Sequence, residues 1–187
     1  MNGAAQKPIE EANVWIRDSF DSEREWIIEL SPSAINDIEK AVDAAADAGH
    51  APQDLRPETF PLPRLKATLS DIYEIIENGR GFAVVRGWPS ERHNHQENLH
   101  AFCGIASYFG EAKVQNYEGE PIVDVIDKDK PYDHTSRGYM SNKRLPFHSD
   151  GADLVGLLCL GEPAEGGTSL LLSATHLYNT ILQEKPE

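Results

Sequence analysis

The chain has 187 residues, enough for one domain of ordinary size and too few for two comfortable ones. Apolar residues at 40% and charged residues at 26% are globular proportions, which exclude a disordered tail or a fibre. Lys and Arg number 17 against 31 Asp and Glu; the resulting net charge of −14 repels phosphate backbones and anionic lipid, so neither nucleic acid nor a membrane is an expected partner.

The first residues show no cationic segment followed by an apolar stretch, so no secretory signal is expected, and 1–30 reads as an N-terminal extension. A domain over 31–187 follows. Ser31, with Pro32 behind it, is a helix start, and Ile35, Ile38, Val42 and Ala45 then share one face until Gly49. The Pro-rich stretch 50–63 reads as a loop packed over a surface. Leu65, Leu69, Ile72 and Ile76 mark a second amphipathic helix that ends near Gly79. GFAVVRG at 81–87 reads as a buried strand between glycines. A third helix is expected from about Gln96 to Phe109, with Leu99, Phe102, Cys103 and Ala106 inward and Gly110 as its stop.

Past Gly110 the texture turns to strands, at 122–126, 154–160 and 168–172, before a last helix capped by Ser173. The order is helical first and β-rich later, an α+β layout without strand–helix alternation. The longest apolar run, 154–160, contains Gly156 and is far too short to span a membrane. Cys103 and Cys159 are the two cysteines, expected as buried thiols in a reducing cytoplasm rather than as a disulfide framework.

Chemistry has to come from histidine and carboxylate pairs. About one His-x-Asp/Glu match is expected by chance, and the chain has two, so spacing alone decides nothing. His95 and Glu97 fall at the start of the third helix, beside Arg92, His93 and His100, where positions i and i+2 point apart. That pair reads as a solvated helix entrance. His148 and Asp150 follow Leu145-Pro146-Phe147 and precede an extended run. In extended chain, i and i+2 project from the same face, so both can reach one ion. One imidazole and one carboxylate are two of the three ligands in the facial triad of non-haem Fe(II) oxygenases. A histidine simply hydrogen-bonded to a nearby aspartate is the plainer alternative.

The surrounding residues extend the signal. LPFHSDGADLVGLLCL at 145–160 resembles the first metal-binding strand of the TauD/TfdA family of Fe(II)- and 2-oxoglutarate-dependent dioxygenases. The likeness takes in FPLP at 60–63, GFAVVRG at 81–87, Gln115 and Asn116, Arg137-Gly138-Tyr139 and GGTS at 166–169. It implies a double-stranded β-helix, a jelly roll with N-terminal helices, here incomplete at its C-terminus. It also implies Fe(II) held by His148 and Asp150, with 2-oxoglutarate as cosubstrate, dioxygen and a small organic substrate. Ser169 or Thr168 would hydrogen-bond the 2-oxoglutarate carboxylate; the offset from the glycine pair favours Ser169.

The family also uses a distal histidine and an arginine well downstream of that glycine pair. Here His176 lies on the last helix, His134 lies upstream in a charged loop, and no arginine follows Arg144. The chain therefore resembles the N-terminal part of such an enzyme. A truncated, non-catalytic fragment or interaction module is the second reading, with self-association through exposed strand edges. A cupin-like metal protein using His148, Asp150 and His134 is the third. Arg137, Tyr139, Asn116 and Arg144 are candidates for the mouth of the site.

Overall fold

Ser31 caps the first helix as its position suggests: its Oγ accepts the Ala34 amide at 3.2 Å, and Pro32 fills the first turn. This is seen in a computed structural model that describes residues 7–126, 144–162 and 165–185. Helix α1 runs Pro32–Asp47 and buries Ala34, Ile38, Ala41, Val42 and Ala45 as one stripe, with Ile35 half-buried at its edge. Gly49, at φ 74°, takes the left-handed conformation that ends it.

The Pro-rich connection does more than lie over a surface. It supplies Leu55, Phe60 and Leu62, three of the most deeply buried side chains. Tyr108 anchors this stretch, donating from its hydroxyl to the Phe60 carbonyl at 3.0 Å and accepting the Leu62 amide at 2.8 Å. Helix α2, Lys66–Glu77, buries Leu69 and Ile72 behind Leu65.

Among the described residues there is one sheet, of two parallel strands: β1, Ile27–Glu29, and β2, Val84–Arg86, in register Ile27 to Val84, Ile28 to Val85 and Glu29 to Arg86. Parallel neighbours need a long crossover, and α1 and α2 provide it. The expectation of no strand–helix alternation is corrected here. β2 is also not the buried strand expected at 81–87: Val84 and Val85 are 38% and 42% exposed. Two strands make too small a sheet to cover both faces.

Helix α3, His95–Ala106, starts at Asn94, whose Oδ1 accepts the Glu97 amide while Glu97 returns a carboxylate oxygen to the Asn94 amide. It packs on α1. Its interior includes polar groups. Asn98 accepts the Trp88 indole N–H at 2.7 Å and donates to the carbonyls of Ser90, His93 and Asn94. His100, expected at the polar helix start, is buried with its ring nitrogens 2.8 and 2.9 Å from the carbonyls of Gln96 and His50.

The expected strands at 122–126, 154–160 and 168–172 form no ladder among the described residues. The run at 154–160 lies against α3, where a Cβ on Gly156 would stand 3.3 Å from the Phe102 ring. Cys159, expected to be buried, is exposed; Cys103 is buried as expected. Helix α4, Ala174–Glu184, has the Ser173 cap that its sequence announces, with Ser173 Oγ accepting the His176 amide at 2.9 Å. That hydroxyl also donates to the Asn13 carbonyl, and Asn179 pairs with both backbone groups of Ile9 at 2.8 Å. The N-terminal residues are thereby tied to α4. No helix among the described residues is long and apolar enough to cross a membrane.

Candidate metal site

Pro146 fixes an extended approach to the histidine, since its ring sets its own φ and disfavours helix at the residue before it. The Pro146 carbonyl lies 2.9 Å from His148 Nδ1. A carbonyl can only accept, so Nδ1 donates to it, and in the neutral ring Nε2 is the nitrogen left to bind an ion. Nε2 faces Asp150, 4.0 Å from Oδ1. A metal-binding histidine characteristically donates its other N–H to a carbonyl in this way, which orients the ring. Both side chains are open, at 53% and 58% exposure, so an ion can reach them from solvent. The i, i+2 step therefore places Nε2 of His148 and Oδ1 of Asp150 4.0 Å apart. Among the described residues no third His, Cys, Asp or Glu joins them.

Gly166 and Gly167 both have positive φ, 79° and 74°, a consecutive left-handed pair that only glycines adopt without strain. They turn the chain into Thr168 and Ser169, which are exposed and make no hydrogen bond to His148 or Asp150. His176 lies on α4, with its backbone amide used by the cap. Asn116 is spent on its own turn, holding Glu120 through both side-chain amide atoms. Arg144 is exposed. His134, Arg137 and Tyr139 lie outside the described residues.

The His95/Glu97 pair behaves as a helix entrance. Glu97 caps Asn94, and His95 turns instead toward Asp124, with Nε2 and Oδ2 3.8 Å apart and both side chains half-exposed. One cluster was not foreseen. His93 stacks on Trp88 with ring centres 4.4 Å apart, and its two nitrogens face Glu39 at 3.5 Å and Glu97 at 3.6 Å. The carboxylates sit on opposite nitrogens, so one ion cannot take both. Glu39 is 54 residues away from His93, and no local spacing announces the contact.

The structure thus brings together a helical layer, a small sheet and an exposed His–Asp pair on extended chain. Comparison with known proteins gives the class. Residues 47–187 match the taurine catabolism dioxygenase TauD, TfdA family, and the chain belongs to it. It is 33% identical over 184 residues to FR-33289 synthase of Streptomyces rubellomurinus (strain ATCC 31215), covering 97% of this chain and 54% of that protein. It is 32% identical over 181 residues to taurine hydroxylase-like protein SAT17 of Stachybotrys chartarum (strain CBS 109288 / IBT 7711), covering 92% of this chain and 47% of that one. The chain spans about half the length of these curated relatives. Its membership is that of a dioxygenase-type oxidoreductase family.

Proposed function

We propose that the chain carries the first half of the iron site of an Fe(II)- and 2-oxoglutarate-dependent dioxygenase acting on a small organic substrate. The observation that carries this reading is the Nδ1 contact of His148 with the Pro146 carbonyl, which turns Nε2 toward Asp150. His148 and Asp150 would hold the iron, and the iron, when bound, would supply the redox chemistry that joins dioxygen to the oxidation of 2-oxoglutarate and substrate. The chain's own residues orient the ligand atoms and keep one side of the site open. Ser169, or Thr168, would hydrogen-bond the cosubstrate carboxylate from the strand end that Gly166 and Gly167 set up. The jelly-roll layout of the family is the proposed architecture of 154–172. Cytoplasmic residence suits its two free thiols.

Two protein ligands bind an ion more weakly than three. Titration calorimetry with Mn(II) in place of Fe(II) should show weak uptake by the wild type and none by His148→Ala. Equal uptake by both proteins would overturn the site. The second reading, a non-catalytic member, is favoured by one observation: no third ligand joins the pair among the described residues. It predicts metal uptake without succinate formation from 2-oxoglutarate. Succinate release by the purified chain, lost in His148→Ala, would reject it.

A further inference from the structure

Helix α4 is short of support. An isolated helix of 11 residues is marginal in water, so α4 depends on what it docks against. None of its residues is buried, Leu177 and Ile181 are 45% and 52% exposed, and the larger contacts between elements, α1 with α3 and β1 with β2, leave it out. Three hydrogen bonds lead from α4 and its cap to a distant part of the chain, and all three end on the backbone of residues 9–13. Asn179 accepts the Ile9 amide and donates to the Ile9 carbonyl, and the Ser173 hydroxyl donates to the Asn13 carbonyl.

Residues 7–16 belong to no helix or strand. Their other end is fastened at Trp15. Its indole N–H donates to the Arg80 carbonyl at 2.8 Å, and its ring meets Phe82 and Phe20 with centres 5.1 and 5.8 Å apart. Arg80 and Phe82 lie in the link between α2 and β2. A turn, with the Val14 amide donating to the Glu11 carbonyl at 3.1 Å, joins the two fastenings. Each fastening also buries a polar atom that has no partner among the described residues, Asn13 Oδ1 at one and Arg80 Nε at the other. A buried group without a partner destabilises the closed arrangement, and opening returns it to water.

We propose that residues 9–15 are a latch: closed, they hold α4 to the link between α2 and β2; open, they let α4 unwind. The run 166–172 leads into the Ser173 cap, so the latch also decides whether that run has a fixed end. The two unpaired atoms keep the closed state shallow, so a change at either fastening shifts the balance. Closure needs both at once, and losing one makes the other useless to α4.

Amide hydrogen exchange of the full chain, read by mass spectrometry, tests this. Asn179→Ala and Trp15→Ala, at opposite ends, should each speed exchange of the α4 amides by about tenfold, while those of α1 and α3 keep the wild-type rate. The double variant should exchange no faster than either single one, since an open latch has nothing left to lose. Asn13→Leu removes the unpaired oxygen at similar volume and keeps the carbonyl that Ser173 uses, so it should slow α4 exchange several-fold. That variant keeps the proposal falsifiable should Trp15→Ala fail to fold. A folded Trp15→Ala protein whose α4 exchanges at the wild-type rate overturns the latch. So do additive effects in the double variant, faster exchange of α1 and α3 in step with α4, or no slowing in Asn13→Leu.

Discussion

At the scale of single residues, Gly104 has no room for a side chain. A Cβ there would overlap the ring of Phe60, which is itself fully buried, so neither partner can step aside. Gly104→Ala should cost about 1–3 kcal/mol by overpacking, read as a lower midpoint in urea. The thiols give a second residue-scale expectation. Cys159 is exposed and should react promptly with a maleimide, whereas Cys103 should react only on unfolding. Burial pushes the Cys103 thiol up from its ordinary 9.0 to about 11. The unfolded chain therefore loses this proton first as pH rises, and the native state holds more protons between those values. Stability conferred by the neutral thiol is full below pH 9 and declines toward pH 11. Cys103→Ala should flatten that part of the stability profile relative to wild type. An unchanged slope would show that other groups set it.

At the scale of elements, what was legible in the sequence follows how local the cause is. The starts of α1 and α4 were readable because Ser31 and Ser173 each cap the helix beside them, and the stripe Ile38, Val42, Ala45 is a property of α1 alone. That His148 and Asp150 come within 4.0 Å of each other was readable for the same reason: extended chain and an i, i+2 step are enough. β1 was not, because three residues carry no period and its partner lies beyond two helices. Nor were the buried Asn98 and His100, whose partners include the carbonyl of His50 and the indole of Trp88. The ladders expected at 122–126, 154–160 and 168–172 depend on partners that apolar character does not name. Ser173 joins both kinds of cause, since it caps α4 and reaches the Asn13 carbonyl 160 residues away. Ser173→Ala should therefore cost more than the ~1 kcal/mol of a lost cap. Thermal denaturation of Ser173→Ala and Ser31→Ala would compare the double role with a cap that makes no such long-range contact. Equal losses would mean that the Asn13 contact contributes nothing.

At the scale of the whole molecule, order is unevenly distributed. The buried residues cluster on α1, α2, α3 and the connection through Leu55, Phe60 and Leu62, and no buried apolar residue lies beyond Cys103 among those described. From 144 to 172 the chain has exposed apolar side chains, such as Phe147, Leu157 and Leu171, and no backbone–backbone hydrogen bonds among the described residues. Local opening costs least where buried contacts and backbone bonds are fewest. Amide exchange read by mass spectrometry should therefore divide the molecule in two. Amides of α1 and the buried turns of α3 should exchange last, at the rate of global unfolding. Those of 145–162 should exchange at close to the free-chain rate in dilute solution. α4 should fall between, because Ser173 and Asn179 tie it to the N-terminal residues while Leu177 and Ile181 stay open. Metal binding adds a site-specific mark: Mn(II) should slow exchange around His148 and Asp150 in the wild type and leave His148→Ala unchanged. Strong protection of 154–160 in a sample shown to be monomeric would mean that a ladder partner exists within the chain itself.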